Sequence, residues 1–470
     1  MKPLFPLRRT KIICTIGPVS WNEDILYTLA DEGMNVARLN FSHGTQSGHK
    51  EIIDRIAKFN SSHELQVATM LDTKGAEIRT GDVQDPISIL KGQEVLFSST
   101  AAASRADKRT RIEVSYDGFA KDVIETDTIL IDNGELSFDI VNVEKDGSVV
   151  ARAREDGTIG TRRHINLPGA DIDLPSITES DWKDLRFGAE LNMDFLALSF
   201  IRNEEEVKEV RSMLDLIGST SRIISKIETQ KGVDNIKAII DVSDGIMVAR
   251  GDLGADVPFE NLPAIQDEIV CRCRDAGKPV IIATHMLESM TEHPIPTRAE
   301  VTDTAHAVDT GADATMLSGE TASGDHPVLS LQAMVRIHRA TEQHMARLKT
   351  SYEIRFKDQE EEEMDKAVTK ALKEEVEAIV LITDTGRTAR NISKFRPSIP
   401  IIALTKNRVI QRSLLLNYGV FPLVVPFDTS DDDIIRSGVK LALKLGLLTK
   451  GQKVLQLKDR ANVMDVSEVA

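Results

Sequence analysis

The stretch GIMVARGDLG, Gly245 to Gly254, decides the fold. The four residues before Arg250 are apolar and have the length of a buried strand, yet the strand ends in an arginine, a glycine and an aspartate. A second stretch, RIISKIE, repeats this pattern, with Lys226 and Glu228 at the end of its apolar run. The fold therefore has to explain why charged side chains gather at the ends of apolar strands.

Six further apolar strands surround these two, and helical patterns follow them. Three of the eight precede residue 77, namely KIICTIG, NVARLNFS and VATMLDTK, and five follow residue 178, namely FLALSF, RIISKIE, GIMVARG, PVIIATH and ATMLSGE. Capping boxes at Ser20/Glu23 and Thr297/Glu300 mark two helix starts. Eight strands that each precede a helix predict an α/β fold with a (β/α)8 barrel of the TIM type.

Two other regions interrupt or follow this pattern. Residues 77–166 contain short β runs between turn residues, which predicts an inserted all-β domain. After the acidic run QEEEEMDK, strands and helices alternate again, which predicts a C-terminal open α/β domain. We predict a barrel over 1–74 and 168–345, an inserted β-barrel lid domain over 75–167 and a C-terminal domain over 355–470.

Charge and cysteine content limit the partners and the compartment. The chain has 470 residues and a net charge of −16, so neither nucleic acid nor an anionic membrane surface is an expected partner. Its 3 cysteines include a C-x-C pair too close for a typical zinc site. Because no apolar segment is long enough for a signal or a membrane span, we expect a cytoplasmic protein.

Polar side chains gather at one rim of the predicted barrel. Side chains two apart in a strand share a face, so those at the carboxyl ends of parallel strands meet at that rim. Six strands contribute Arg38, Asn40 and Ser42; Asp72 with Thr73; Lys226 and Glu228; Asp252; Thr284; and Ser318 with Glu320. The opposite rim is predicted to carry no such concentration.

These residue types indicate a site for a metal ion and a phosphate. Glu228 and Asp252 supply two hard oxygen ligands, which suit Mg²⁺ completed by substrate oxygens and water. Arg38 and Lys226 supply positive charge for a phosphate, and Gly251 lets backbone N–H groups approach an anion. Oxygen atoms that suit a monovalent cation come from strands two and three: Asn40, Ser42 and Asp72.

Each residue also has a structural interpretation. Lys226 and Glu228 can form a rim salt bridge, Asp72 can cap a loop, and Thr284 can pack its methyl group in the core. Arg250-Gly251-Asp252 matches a cell-attachment tripeptide, but its position at a buried strand end disfavours that role. The convergence of several strands on one rim favours a functional site.

At these residues the sequence resembles the pyruvate kinase family. The matching stretches cover about residues 10–340 in family order: KIICTIGP, NVARLNFSHG, LDTKGAEIRTG, INLPG, SKIE, IMVARGDLG, ATHMLESM, PTRAEVTD and MLSGETASG. The resemblance implies transfer of a phosphoryl group from phosphoenolpyruvate to ADP, giving pyruvate and ATP. It also implies Mg²⁺ (or Mn²⁺) and K⁺ as cofactors and a homotetramer.

The resemblance also implies a role for each matching residue. Glu228 and Asp252 would hold Mg²⁺, Lys226 and Arg38 would neutralise the phosphoryl group, and Arg79 would reach in from the insert. The carboxylate of the substrate would bind Gly251, Asp252 and Thr284, and Thr284 would join the proton path with Ser318 and Glu320. K⁺ would bind Asn40, Ser42, Asp72 and the Thr73 carbonyl. The nucleotide would lie near Pro18, Asn40, His43, Arg79 and Arg163.

Several positions depart from the family pattern. Ala76 replaces a proline at the lid hinge, His285 replaces a glutamine, Ser323 replaces a lysine and His164 replaces a glycine. Glu77 is an acid where the family uses either an acid with K⁺ or a lysine without it, so we predict K⁺ dependence.

The C-terminal domain has its own expected ligand. The loop Thr383 to Thr388 is predicted to bind a phosphorylated effector, although Asp384 adds negative charge there. The tail also lacks the glycine-bearing loop between the last two strands, which disfavours fructose bisphosphate as that effector.

Two other functions are compatible with parts of the sequence. One is a Mg²⁺-dependent barrel lyase acting on a phosphoenol or keto acid, which would not need Lys226, Arg79 and a lid together. The other is a non-catalytic scaffold, which would not need Lys226, Glu228, Asp252 and Thr284.

Overall fold

The computed structural model describes residues 7–99, 109–170, 172–348, 352, 354–458 and 463–469. The chain begins with three strands and two helices of a barrel: β1 (Lys11–Thr15), α1 (Glu23–Glu32), β2 (Val36–Asn40), α2 (Gln46–Ser62) and β3 (Ala68–Asp72). The predicted capping box at Ser20 is wrong. Asn22 caps α1 by accepting the N–H of Ile25, because Asn22 directly precedes the acidic first turn, while the Ser20 hydroxyl accepts the N–H of Gly17.

A second, all-β region interrupts the barrel. Its elements are β4 (Ile78–Arg79), β5 (Ile87–Ile89), β6 (Glu94–Ser99), β7 (Thr110–Val114), α3 (Phe119–Asp122), β8 (Thr128–Ile131), β9 (Leu136–Val143), β10 (Val149–Ala153), β11 (Gly157–Ile159) and β12 (His164–Asn166). One sheet has the order β4-β12-β8-β9-β10-β6-β7, and β5 pairs with β11. A bridge between Thr80 and Val114 joins the ends of that sheet, so it is partly closed around its own apolar core.

The barrel then resumes and closes. Its remaining elements are α4 (Glu179–Glu190), β13 (Phe195–Leu198), α5 (Glu204–Leu216), β14 (Arg222–Ile227), α6 (Gln230–Asp234), α7 (Ile236–Val242), β15 (Gly245–Ala249), α8 (Arg250–Asp256), α9 (Leu262–Ala276), β16 (Val280–Ala283), α10 (Arg298–Asp309), β17 (Ala314–Leu317), α11 (Gly319–Ala322) and α12 (Pro327–Leu348). Parallel strands close in the order β1-β17-β16-β15-β14-β13-β3-β2, which confirms the (β/α)8 barrel. The capping box at Thr297 and Glu300 is present and starts α10.

A separate C-terminal α/β domain follows, as predicted. It contains α13 (Gln359–Lys373), β18 (Ala378–Ile382), α14 (Arg387–Lys394), β19 (Ile401–Thr405), α15 (Arg408–Ser413), β20 (Val420–Val424), α16 (Asp431–Lys444), β21 (Lys453–Lys458) and β22 (Val463–Glu468). Four parallel strands and the antiparallel β22 form an open sheet in the order β20-β19-β18-β21-β22. The exact domain boundaries stay predictions. Among the helices that the structure describes, none is long and apolar enough to cross a membrane.

Charged side chains also gather at the amino-terminal rim of the barrel, so the expectation that this rim carries none is wrong. Asp194 pairs with Arg412 at 2.8 Å, and Asp313 pairs with Arg396 at 2.6 Å. Lys11 lies beside them and donates to the carbonyl oxygen of Val420 at 2.6 Å. The partners of these three residues are Arg412, Arg396 and the Val420 carbonyl, and all belong to the C-terminal domain. That domain packs against this rim and buries the charges.

Replacing Lys11 with Met should stabilise the protein. Lys11 is 1% exposed, and burial lowers the pKa of its ammonium to about 7. Since the unfolded chain keeps the ordinary, higher pKa, the wild-type protein gains stability as pH rises from about 7 to about 10.5. We expect Lys11→Met to raise the free energy of unfolding at pH 7 by about 2 kcal/mol, because relief from burying the charge exceeds the lost hydrogen bond.

Urea denaturation at pH 7 and pH 10 measures this effect. The gain should shrink at pH 10, where wild-type Lys11 is neutral. A variant less stable than wild type at pH 7 would contradict the prediction.

Candidate active site

Lys226 occupies the centre of the carboxyl-terminal rim. At the end of β14, its Nζ donates to Oδ1 of Asp72 at 2.9 Å and to Oγ of Ser199 at 2.7 Å, and it lies 3.2 Å from Oε1 of Glu228. Burial alone would lower the pKa of Lys226, but the two carboxylates outweigh it and hold the pKa above its ordinary value. The ammonium is therefore a permanent positive charge in a buried position. The rim salt bridge considered above exists, but it is part of this larger buried cluster.

Arg38 holds the other side of Asp72. Its Nε donates to Oδ2 of Asp72 at 2.6 Å, and its Nη1 donates to the hydroxyl of Thr15 at 2.9 Å. Burial would raise the pKa of Asp72, but Arg38 and Lys226 lower it below its usual range. Asp72 therefore stays ionised and keeps both cations on the same rim.

Glu228 and Asp252 form a second acidic pair beside this cluster. Oε2 of Glu228 accepts the N–H of Phe200 at 2.6 Å, which fixes that carboxylate. Burial raises the pKa of both groups, to about 7 for Glu228, although Lys226 opposes the shift. The charge of Asp252 also raises the pKa of Glu228. Such a pair favours a proton or a cation between its members.

The donor set fits a dication that substrate and water complete. Among the described residues, no group of three or more His, Cys, Asp or Glu side chains could hold a metal by itself. Two carboxylates are the number that Mg²⁺ commonly takes from a protein when phosphate oxygens and waters fill its other positions.

The oxygen atoms predicted for a monovalent cation lie near one another. Asn40 and Asp72 are register partners on β2 and β3, so their side chains are neighbours. The Thr73 carbonyl follows Asp72 and accepts the hydroxyl of Ser199 at 2.6 Å, while Oδ1 of Asn40 accepts the N–H of Ser42 at 3.1 Å. Asp72 already pairs with Arg38 and Lys226, so its carboxylate would be shared between these side chains and a bound monovalent cation.

Thr284 and Gly251 meet where β16 ends and α8 begins. The Thr284 hydroxyl accepts the N–H of Gly251 at 2.8 Å and donates to the Ala283 carbonyl at 2.6 Å. Thr284 and the exposed His285 have φ angles of 65° and 52°, which place both in the left-handed region. Only a tightly held turn keeps two non-glycine residues there.

Glu320 lies buried after β17 and faces backbone groups. Its carboxylate accepts the N–H of Leu287 at 3.0 Å and the N–H of Ser318 at 2.7 Å, and burial raises its pKa. The Ser318 hydroxyl has no hydrogen-bond partner among the described residues. Because Glu320 accepts the N–H of Leu287, Glu320 and Ser318 lie next to the turn that follows β16.

The predicted site residues of the insert and the loops lie around the buried cluster rather than in it. Arg79 pairs with Glu77 at 2.5 Å, and the half-exposed Arg163 pairs with Asp132 at 3.1 Å. Pro18 and His43 occupy the turns after β1 and β2, on the same rim as Arg38.

Three contact residues were not among the predicted site residues, although His164 was noted as a departure from the family pattern. Thr15 is the last residue of β1 and Ser199 directly follows β13, so both are polar residues at strand ends, the pattern that predicted the rest of the rim. His164 comes from the insert, and its Nδ1 lies 3.7 Å from Oδ1 of Asp252. No local pattern signals His164, because the fold alone brings β12 over the rim.

The C-terminal loop predicted for an effector starts α14. The Thr383 hydroxyl accepts the N–H of Gly386 at 2.9 Å, Lys406 pairs with Asp384 at 3.2 Å, and Arg387 pairs with Glu360 at 2.7 Å. Arg387, the one cation of this loop, and Lys406, which follows β19, are thus already paired with carboxylates. Residues 459–462, which include the loop between the last two strands, lie outside the described residues.

Known families and proteins resemble this chain over nearly its whole length. Residues 7–331 match the family "Pyruvate kinase, barrel domain", and residues 361–466 match "Pyruvate kinase, alpha/beta domain". A pyruvate kinase of Dictyostelium discoideum is 42% identical over 95% of this chain and 90% of its own length. One of Clostridium perfringens is 41% identical over 96% of each chain.

A solved structure has the same fold. The crystal structure of a pyruvate kinase from Cryptosporidium parvum superposes with a TM-score of 0.89 at 37% identity, covering 98% of this chain and 96% of the other. The three parts of the present chain therefore occur together in a known enzyme.

Proposed function

The chain belongs to the pyruvate kinase family of phosphotransferases, and on that premise we propose that it transfers the phosphoryl group of phosphoenolpyruvate to ADP, forming pyruvate and ATP. The observation that carries the proposal is the buried ammonium of Lys226, which lies 2.9 Å from Asp72 and 3.2 Å from Glu228 beside a second carboxylate. Phosphoryl transfer depends mostly on positioning and on charge neutralisation, which this cluster supplies.

The metal-binding carboxylates in this reaction are Glu228 and Asp252. Both side chains would hold a Mg²⁺ (or Mn²⁺) ion, which would supply positive charge to neutralise the transferred group. Lys226 and Arg38 place two further positive charges beside it. Because burial raises the pKa of both carboxyl groups, any proton that they hold would have to leave before a dication could bind.

The carboxylate end of the substrate binds the backbone N–H groups of Gly251 and Asp252 and the hydroxyl of Thr284. The same hydroxyl, through water and with Ser318 and Glu320, delivers the proton that converts the enolate to pyruvate. The nucleotide lies against residues of two loops and of the insert: Pro18, Asn40, His43, Arg79 and Arg163.

The inserted domain acts as a lid that excludes water from the transferred group. Its predicted hinges lie at 74–77 and 166–169. Oδ1 of Asp181, on α4 of the barrel, accepts the N–H groups of Lys74 at 3.1 Å and Gly75 at 3.2 Å. The first hinge is thereby anchored up to Gly75, and motion would begin at Ala76.

Coupled assay of ATP and pyruvate formation tests the reaction. Both products should appear from phosphoenolpyruvate only when ADP and Mg²⁺ are present. Pyruvate formed without ADP would contradict phosphoryl transfer to ADP, and no product at all would favour the scaffold.

K⁺ should activate the enzyme through Asn40, Ser42, Asp72 and the Thr73 carbonyl. Glu77 carries the negative charge that family members with K⁺ dependence have at this position. We expect removal of K⁺ to lower kcat on the order of tenfold or more, equivalent to about 1.4 kcal/mol of transition-state stabilisation per factor of ten. Glu77→Lys should reduce that dependence, and equal wild-type activity in K⁺-free buffer would contradict the prediction.

An effector site in the C-terminal domain, a homotetramer and a cytoplasmic location complete the proposed function. A phosphorylated effector would bind the Thr383 to Thr388 loop by displacing Glu360 from Arg387, which activation assays with several sugar phosphates and AMP would detect. A homotetramer would be detected by sedimentation. A reducing, cytoplasmic compartment agrees with the three free cysteines.

A further inference from the structure

Arg250, the first residue of α8 directly after strand β15, has no part in the proposed reaction, yet it lies buried beside the site. It is 8% exposed. Its Nη2 donates to the carbonyl oxygens of Thr284 at 2.7 Å and His285 at 3.3 Å, and it lies 3.0 Å from the Met286 sulfur. Its Nη1 pairs with Asp303 of α10 at 2.7 Å. The guanidinium therefore connects α10 to the turn after β16.

The carbonyl groups that Arg250 binds belong to a strained turn. Thr284 and His285 both have positive φ angles, of 65° and 52°. This left-handed region is unfavourable for residues other than glycine, and most of all for a β-branched residue such as threonine. Such a turn persists only where surrounding contacts stabilise it. Arg250 supplies those contacts to both carbonyls.

The conformation of this turn decides where the Thr284 hydroxyl lies. Oγ1 accepts the N–H of Gly251 at 2.8 Å, and Gly251 directly follows Arg250. The same arginine thus holds the Thr284 backbone while its neighbour in sequence binds the Thr284 side chain. A turn that relaxed toward negative φ would move the hydroxyl away from Gly251.

We propose that Arg250 is a positioning residue for Thr284: it stabilises the left-handed turn at Thr284 and His285 and so fixes the Thr284 hydroxyl at the Gly251 amide. The effect on turnover rests on the proposed function. The positioning is a property of the substrate-free protein and is measurable without any activity.

Arg250→Lys keeps the charge but cannot bind both carbonyls and Asp303 together. We expect the Gly251 amide to exchange hydrogen faster by at least about tenfold, since a left-handed non-glycine residue carries roughly that penalty in an equilibrium constant. Proton exchange into the methyl group of bound pyruvate should slow by a similar or larger factor, while the KM for ADP stays unchanged.

Rescue separates this role from a general effect on stability. Glycine adopts positive φ without steric cost, so His285→Gly in the Arg250→Lys background should restore both Gly251 protection and pyruvate proton exchange. The matched control is Arg396→Lys, which removes another buried arginine that donates to two carbonyls, those of Gly311 and Ser393, and pairs with Asp313. It should lower stability without exposing the Gly251 amide, and His285→Gly should not correct it.

Unchanged Gly251 exchange in Arg250→Lys, failure of His285→Gly to restore it, or the same loss in Arg396→Lys would each overturn the proposal. If Arg250→Lys does not fold, Asp303→Asn replaces it, because this variant keeps the guanidinium and weakens its ion pair with α10. Gly251 amide exchange, pyruvate proton exchange and the KM for ADP are then measured on Asp303→Asn. If the wild-type protein forms no ATP, the proposed function fails while Gly251 exchange still decides the role of Arg250.

Discussion

We expect Lys226→Met to lose phosphoryl transfer by about 10³–10⁵-fold, the range that follows removal of a cation from a transferred phosphoryl group. The variant should still exchange protons of bound pyruvate, because the proton path that we propose runs through Thr284 and not through Lys226. The side chain of Met fills a similar volume but leaves Asp72 and Glu228 without the ammonium that now lies 2.9 Å and 3.2 Å from them. Loss of charge neutralisation, not loss of the site, is therefore the expected defect.

Phosphoryl transfer is measured by ATP formation, and enolisation is measured by deuterium exchange into pyruvate. Lys278→Met is the matched control, because Lys278 is a partly buried lysine outside the site whose Nζ donates to the carbonyl of Ser243 at 2.6 Å. It should leave both rates near wild type. If both reactions of Lys226→Met fall together while the fold is intact, the division of roles between Lys226 and Thr284 is wrong.

The strand ends show why much of the site could be predicted from sequence. In a closed parallel barrel, an apolar run places its last residues at one rim, whatever lies elsewhere in the chain. Lys226, Glu228 and Asp252 lie at or just beyond the ends of β14 and β15, so local pattern and fold together were sufficient to predict their place on the rim. Thr15 and Ser199 obey the same rule, so the same pattern was sufficient to predict where they lie.

The amino-terminal rim shows the opposite case. Lys11 and Val420 are separated by 409 positions, and Asp194 and Arg412 by 218. No periodicity connects such residues, because their contacts arise only when the C-terminal domain packs against the barrel. His164 escaped prediction for the same reason, since the insert places it near Asp252. The backbone strain at Thr284 and His285 is equally invisible, since neither residue type normally favours positive φ.

Glu228→Gln should remove the response of the protein to Mg²⁺ and lower activity by about 10³-fold, comparable to the loss of a main electrostatic contact in other active sites. Gln retains the shape of the side chain and an oxygen that accepts the Phe200 N–H, so the fold should persist. At saturating Mg²⁺, about 100 times the dissociation constant, the wild-type protein should gain about 2.7 kcal/mol of stability, and the variant should gain little.

The pH dependence of stability gives a second measurement on the metal-free protein. Burial raises the pKa of Glu228 from 4.5 to about 7, so the folded protein binds more protons than the unfolded chain between these values. Wild-type stability should therefore fall as pH rises from about 4.5 to 7, by up to about 1.4 kcal/mol per pH unit, and Glu228→Gln should flatten this slope.

Asp256→Asn is the control for these two measurements, because Asp256 lies on the same helix as Asp252 and burial also raises its pKa. It should alter the pH slope and keep the stabilisation by Mg²⁺. If Mg²⁺ stabilised Glu228→Gln as strongly as wild type, the ion would bind elsewhere. Glu228 and Asp252 would then hold a proton and have no role in metal binding.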